Sequence, residues 1–334
     1  MKILYLGNKL SKHGINKTTV ETLGEKLSQS GFNVVSYSSK KNSILRILDM
    51  LFGILKHKDA KYILIDTYST SAFWFAFFGS QLARMLHIKY IPILHGGNLP
   101  NRLISNPKLC KMLFNKAFVN VSPSEYLKYH FEKFGISNVV CIPNSINVSE
   151  YSFKERQSFA PNLIWVRAFA EIYNPKMAID VLNILQKKYP SATLTMVGPD
   201  KDGSLDITKK YANQFNLNVN FTGKLSKEEW TDLAQNHDIF INTTHFDNTP
   251  VSVLEAMALG LPVISTNVGG LPFLISHQKN GYLVNDNDAS EMVEQIEQII
   301  NFPSQTNEII GNAKSMISKM DWKVVDNQWT NLLR

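Results

Sequence analysis

Two doubly wound α/β domains are the fold class this sequence predicts, and three observations predict it. Short, β-branched apolar runs recur along the whole chain, segments of helical period separate them, and one polar, aperiodic stretch divides the series in two. The runs are continuous rather than alternating, which is the pattern of parallel strands covered on both faces. A strand, helix, strand order repeated in each half then builds a parallel sheet with helices on either side.

In chain order, the strands expected in the first half are KILYLG, NVVSYS, YILIDT, YIPILHG, AFVNVS and VVCIPN. Those of the second half are LIWVRA, TLTMVG, VNFTGK, IFINTT, PVISTN and YLVND. Between them lie helices such as NKTTVETLGEKLSQSG, closing on Gly31, and NPKMAIDVLNILQKKYP, stopping before Pro190. The stretch NVSEYSFKERQSFAPN, residues 147–162, has no apolar period and marks the change of domain. The expected organisation is an N-terminal domain over 1–155, a C-terminal domain over 156–315, and a final helix, 316–334, packing back on the first domain. A chain of 334 residues is long enough for two such cores.

Composition narrows the function classes. Hydrophobic residues make up 44% and charged residues 19%, the balance of a soluble globular protein, and no segment is of low complexity. Cys110 and Cys141 are too few for a disulfide framework and lack metal-ligand spacing, so the expected compartment is the reducing cytosol. The N-terminus does not read as a signal peptide, and the most apolar stretch, SAFWFAFFGSQLARML at 71–86, is interrupted by Ser80, Gln81 and Arg84. It is shorter than the roughly 20 residues a bilayer span needs. Residues 1–150 carry 19 Lys and Arg against 8 Asp and Glu, whereas the remainder carries 16 against 20. The basic half is the one suited to an anionic surface or acceptor. Its charges are scattered, without the aromatic interleaving or recognition motif of nucleic-acid binding. Within it, ILRILDMLFGILKHK (44–58) has apolar residues at helical spacing and basic ends, compatible with lying on an anionic membrane or with packing on the sheet.

Ligands of open α/β sheets bind beyond the carboxyl ends of the strands, and two such domains are expected to face each other across a cleft. The loop HFDNT after IFINTT leads into PVSVLEAMALG, with Thr249 expected as the N-cap, Pro250 as the first helical residue and Gly260 as the stop. A helix starting there turns free N–H groups and the positive end of its dipole toward a ligand. Asp247 precedes the cap and Glu255 lies about one and a half turns into the helix. Singly, these read as a loop acid and a helix-surface acid; together they suit the gripping of one ligand at two ends. The pairs Asp200/Asp202 and Asp286/Asp288 resemble metal-binding D-x-D patterns but sit in turn-rich PDKDG and NDNDAS, and are read as turns.

The run DNTPVSVLEAMALGLPVIST, with Val268, Gly269 and Gly270 after it, resembles the signature of glycosyltransferase family 4, retaining enzymes of the GT-B fold. PNSIN (143–147), WVRAFAEIYNPKMAIDVL, MVGP, FTGKLSKEEW and DWKVVDNQW follow in the order that family has them. The resemblance is strong over the second half and a matter of pattern in the first. It implies that Glu255 holds the ribose hydroxyls of a nucleoside diphosphate sugar and Asp247 the sugar, while Arg167 and Lys176 neutralise the diphosphate. It places the backbone of Asn248, Thr249, Pro250 and Val251 along sugar and phosphate, and Gly198 and Lys224 near the base. From the first domain it brings Gly14 to the diphosphate and His95, in ILHGGN, beside the reacting sugar; two glycines after a histidine point to a loop position rather than a core one. The sequence departs from the family in having Asp at 247, a wider spacing between Arg167 and Lys176, Ile15 after Gly14, and Ser145 in PNSIN.

The function so implied is transfer of a sugar from a nucleoside diphosphate sugar to a glycan or lipid-linked acceptor in cell-surface polysaccharide synthesis. No metal and no cofactor beyond the donor is expected, and the protein is expected in the cytosol, peripheral to the inner face of the membrane. A nucleotide-sugar 2-epimerase and a non-catalytic envelope-assembly protein remain alternatives.

Overall fold

The computed structural model describes residues 1–13 and 17–334, and the chain divides into two compact units. Unit 1 comprises Met1–Asn144 with Lys323–Arg334, and unit 2 comprises Ser145–Trp322.

Unit 1 runs β1 (Lys2–Leu6), α1 (Thr19–Gln29), β2 (Asn33–Tyr37), α2 (Ser43–Lys56), β3 (Tyr62–Thr67), α3 (Phe73–Met85) and β4 (Lys89–Leu94). It continues through α4 (Leu99–Ser105), α5 (Pro107–Phe114), β5 (Asn120–Ser122), α6 (Glu125–Lys133) and β6 (Val139–Cys141). Its sheet is parallel, in the order β2-β1-β3-β4-β5-β6. Every residue of β3 is buried, as a central strand with helices on both faces requires. Unit 2 runs β7 (Asn162–Val166), α7 (Pro175–Leu185), β8 (Thr193–Val197), α8 (Ser204–Gln214), β9 (Val219–Gly223), α9 (Lys227–Ala234) and β10 (Ile239–Asn242). Then come α10 (Val251–Ala258), β11 (Val263–Thr266), α11 (Leu271–Leu274), β12 (Tyr282–Val284), α12 (Ala289–Asn301) and α13 (Pro303–Ser318). Its sheet is also parallel, ordered β12-β11-β10-β7-β8-β9. The twelve strands among the described residues coincide with the apolar runs of the sequence.

Local chemistry sets the helix starts. Thr18 and Glu21 form a capping box on α1, and Ser226 and Glu229 form one on α9, where the Ser226 N–H donates to Glu229 at 2.7 Å. Asn174, left-handed at φ 45°, caps α7, with Pro175 at its first turn. Trp165 is fully buried between the layers, its indole N–H donating to the Thr243 hydroxyl at 3.0 Å. Fully burying such aliphatic and aromatic side chains contributes roughly 1.5–3 kcal/mol each.

The domain boundary differs from the expected one. It falls at Asn144/Ser145 rather than within residues 147–162, which belong wholly to unit 2. Tyr151, Arg156 and Phe159 in this stretch are buried. Arg156 donates to the carbonyls of His237 at 2.9 Å and Gly260 at 2.9 Å, and the Lys154 N–H donates to Leu259 O. The segment is held by hydrogen bonds to backbone, which leave no apolar period to read. The last helix, α14 (Trp322–Leu333), begins where unit 2 ends, so the change back comes at Lys323 rather than near 316. Within unit 1 the Ser30 hydroxyl donates to Asp326 at 2.5 Å, and the Lys61 ammonium donates to Arg334 O at 2.9 Å.

Gly198 follows β8 at φ +151°, where a Cβ would stand 1.8 Å from the Arg167 carbonyl oxygen. Both the left-handed backbone and the close approach require glycine. Gly198→Ala is expected to cost roughly 3 kcal/mol or more in unfolding free energy by urea denaturation. A loss below about 1 kcal/mol would mean that the two loops are not locked there.

Candidate functional site

In the unit 2 sheet β7 lies beside β10, so the crossovers from these two strands leave on opposite faces and their loops part at the carboxyl edge. A ligand of an open α/β sheet sits at such a switch point. The loop after β7 carries Arg167. Its N–H donates to Val197 O at 3.0 Å, and the Phe169 N–H donates to Pro199 O at 2.8 Å, so this loop extends the sheet before it turns. The Arg167 guanidinium lies 4.2 Å from the centre of the Tyr173 ring and is ion-paired with Asp247. Burial draws it down from its ordinary value, and Tyr173 works in the opposite direction. Its Nε is buried and has no hydrogen-bond partner among the described residues.

The loop after β10 is fastened to the one after β7 at its root. The Thr243 hydroxyl lies 2.8 Å from Asn174 O, and the His245 N–H donates to Ile172 O at 2.8 Å. Farther along, the Asp247 carbonyl accepts from the Gly270 N–H at 2.8 Å, and its carboxylate accepts from the Asn248 N–H at 2.8 Å. A Cβ on Gly269 would fall 2.2 Å from Asp247 O, and one on Gly270 would fall 2.0 Å from Asn248 O. The two glycines let the DNTP backbone lie against the next loop without a side chain between them. The α10 helix starts one residue later than expected. Pro250 is its cap, extended at ψ 122°, and Val251 is its first residue, so Thr249 is loop. Pro250 O accepts from the Val253 N–H at 3.2 Å, and the buried Ser252 hydroxyl in the first turn has no partner among the described residues.

Glu255 lies on α10, half-buried. Its Oε1 accepts from the Tyr151 hydroxyl at 2.8 Å. Lys227 lies 4.5 Å from the Tyr151 ring centre, and its ammonium reaches Glu150 at 2.5 Å. Burial raises the Glu255 carboxyl above its ordinary value, while the Tyr151 hydrogen bond and Lys227 oppose the rise and Glu150 adds to it. Burial likewise pushes the Tyr151 phenol far up, which keeps it a donor.

The other expected site residues fall in several places. Lys176 is exposed at the start of α7, 5.7 Å from the centre of the Tyr211 ring, and lines a cavity of about 450 Å³ with Glu171, Asn174, Asp202 and His245. Arg167 instead pairs with Asp247, so the two cations expected to act as one pair have different partners. Gly198 supports Arg167 from behind, and Lys224 is exposed just past β9. Gly14 lies outside the described residues.

His95 is buried. It follows β4 directly, as expected, but is 7% exposed rather than open to solvent, and its N–H donates to Thr67 O at 2.8 Å. Its Nε2 lies 2.8 Å from the Asp66 carboxylate, which also accepts from the Tyr5 hydroxyl at 2.9 Å, and Tyr68 stacks on the ring. Against a carboxylate acceptor Nε2 is the donor, which leaves only Nδ1 for any other partner.

The D-x-D aspartates serve turns and caps. Asp200 accepts from the Gly203 and Leu205 N–H groups, Asp202 from Glu171 and Ser204, and Asp288 caps α12. Asp286 pairs with His245 at 2.9 Å. Tyr151, Tyr173, Asn174 and His245 escaped the sequence reading. Tyr173 and Asn174 lie within the wider spacing between Arg167 and Lys176, and Tyr151 within the polar stretch at the change of domain, so the available signal was an aromatic residue inside each.

The family profile described as "Glycosyl transferases group 1" matches residues 149–316, half of the chain. Sulfoquinovosyl transferase SQD2 of Arabidopsis thaliana is 28% identical over 158 residues, covering 46% of this chain and 30% of that protein, so the chain spans under a third of that relative. An uncharacterized glycosyltransferase of Haemophilus influenzae is 23% identical over 98% of this chain and 94% of its own length. Among solved structures, Anabaena Alr3699/HepE in complex with UDP aligns with a TM-score of 0.78 at 19% identity, covering 100% of this chain and 99% of that one. The fold is thus the one the sequence implied, two Rossmann-like domains of the GT-B type.

Burial of Glu255 has a stability consequence. Its folded-state pKa is raised, so the unfolded chain ionises it first, and its carboxylate costs stability increasingly as pH rises from the ordinary glutamate range through the folded pKa. Glu255→Gln is therefore expected to melt with wild type near pH 4 and above it at pH 7.5, a gap calorimetry would read. An equal or lower melting temperature at pH 7.5 would contradict the burial cost. Tyr151→Phe, which removes an opposing hydrogen bond, is expected to raise the Glu255 pKa further, as a carboxyl NMR titration would detect.

Proposed function

This chain belongs to the group 1 glycosyl transferases, and we propose that it moves a sugar from a nucleoside diphosphate sugar to a hydroxyl of a glycan or lipid-linked acceptor, with retention at the anomeric carbon. The observation that carries this reading is the ion pair of Arg167 and Asp247 at the β7/β10 switch point, with Glu255 about one turn into the helix that begins there. A diphosphate is a better partner for a forked guanidinium than a single carboxylate is. Its arrival takes Arg167 from Asp247 and frees that carboxylate for the sugar's hydroxyls. Glu255, held by Tyr151 at Oε1, accepts from the ribose hydroxyls. The first turn of α10, with the unpartnered Ser252 hydroxyl, adds donors and positive dipole.

In the reaction the acceptor oxygen bonds to the anomeric carbon on the face from which the leaving phosphate departs. The bond from that carbon to the phosphate oxygen breaks, and the acceptor's proton passes to the diphosphate. Arg167 stabilises the charge that develops on the leaving group, and positioning supplies much of the remaining barrier reduction. Neither a metal nor a further cofactor enters this scheme. Lys176 stands on the same side of α7 as the cavity beside His245, and its part is to widen the cationic field around the phosphates. UDP, which the Anabaena relative binds, is the first nucleotide to try. The free thiols of Cys110 and Cys141 support a reducing compartment as the place of action.

Arg167→Ala is expected to lower kcat/KM for sugar transfer about 10²- to 10³-fold, the range for losing one preorganised charge donor. Arg167→Lys should recover only a small part of it, since a point charge does not replace the fork. Rates within about twofold of wild type for both variants would defeat the assignment of Arg167 to the leaving group.

A further inference from the structure

We infer that the outer face of α2 and the neighbouring part of α3 form a docking surface for an anionic lipid bilayer. This goes beyond the transfer reaction and does not depend on it. On α2, Ile44, Leu45, Leu48, Phe52 and Leu55 are each between 47% and 69% exposed. At about 100° per residue these five positions fall within one arc of about 100°, with exposed Lys56 at its border. The opposite side of the helix is fully used: Met50 and Ile54 are buried, and Gly53 sits so close to the Tyr37 ring that a Cβ would meet it at 2.9 Å. The helix therefore has two apolar faces, and only one of them packs on unit 1.

The exposed face does not come from fraying. The Asn42 side chain accepts from the Ile44 N–H at 2.9 Å and the Leu45 N–H at 3.1 Å, which fixes the first turn. Buried Arg46 donates to Lys40 O at 2.8 Å and Lys41 O at 2.8 Å, pinning the backbone of two exposed lysines at the start of α2. Helix α3 packs beside α2 and adds Trp74 and Phe78, whose rings stack 5.7 Å apart and are 39% and 42% exposed. Two adjacent helices that show large apolar side chains make a patch of the kind that marks an interaction site.

Charge selects the occupant. Lys40, Lys41, Lys56 and Lys58 flank the apolar arc and are exposed, α3 contains no acidic residue, and the one acid of α2, Asp49, accepts a hydrogen bond from Ser38. Asp59 is engaged by Lys2 at 2.8 Å. Aliphatic and aromatic side chains bordered by lysines are what the boundary between acyl chains and anionic headgroups accepts. No described helix is long and apolar enough to cross a membrane, so the association is peripheral.

Flotation of the full chain with vesicles of phosphatidylcholine alone, or with a third of phosphatidylglycerol, tests this. Wild type is expected to float with the anionic vesicles and to stay largely in the dense fraction with the zwitterionic ones. Leu48→Glu/Phe52→Glu should cut the floated fraction about tenfold or more, and Lys40→Glu/Lys41→Glu about fivefold or more. Circular dichroism and nucleotide binding of both variants are expected to match wild type, because these side chains project from the folded unit. Wild type left at the bottom of the gradient, or both variants floating as wild type does, would overturn the proposal. So would a dimer in sedimentation velocity that Leu48→Glu/Phe52→Glu dissociates, which would assign the face to a second copy. Flotation with no nucleotide binding would leave the docking surface standing and count against the transferase reading alone.

Discussion

Backbone packed too close for any side chain holds the unit 2 site in shape. At the switch point of a parallel sheet the loops after β7 and β10 diverge, and a ligand site needs them joined at their roots while their tips stay free. Gly198 meets the Arg167 carbonyl, and Gly269 and Gly270 meet the carbonyls of Asp247 and Asn248, so three glycines clamp the two loops that carry the charged pair. The Thr243 hydroxyl, near the carbonyls of Tyr173 and Asn174 and accepting from Trp165, closes the root from the core side. With the loops fixed, Arg167 and Asp247 have little freedom except to pair with each other or with a ligand that outcompetes one of them.

That arrangement explains why burial works against stability at this place and in favour of binding. Arg167 and Glu255 both lie where burial disfavours their charged forms. Each has local compensation: Asp247 and the Tyr173 face for the arginine, Tyr151 and Lys227 for the glutamate. The compensation is partial, and an anionic diphosphate with vicinal hydroxyls would complete it. Groups preorganised and under-satisfied before the ligand arrives are what a site needs if it is to act by positioning and charge rather than by a general base.

Much of the fold was legible because parallel strands announce themselves. Covered on both faces, they are continuous apolar runs, and β3, YILIDT, is buried at every position. The α10 region was legible for another reason, since glycine, proline and acid there answer to a backbone geometry few residues satisfy. What the sequence hid was polar structure made from hydrogen bonds to backbone. Residues 147–162 read as the change of domain because Arg156 and Lys154 hold them down through carbonyls and a backbone N–H, which leave no period. Tyr151 was hidden with them. The burial of His95 was hidden because the glycines after it say nothing of Asp66, whose carboxylate at the end of β3 holds the ring. The two faces of α2 were equally ambiguous in sequence, because apolar residues at helical spacing do not say which of them the sheet will cover.

The central claim is that Glu255 and Asp247 hold one nucleoside diphosphate sugar by its two ends, and calorimetric titration tests it at the Glu255 end. The nucleoside diphosphate that binds tightest and its 2′,3′-dideoxy analogue would each be titrated into wild type and Glu255→Ala. If Glu255 accepts from the ribose hydroxyls, removing them should weaken wild type but barely affect the variant, giving a coupling energy of about 1–3 kcal/mol. Strictly additive losses would contradict the account and place the ribose elsewhere.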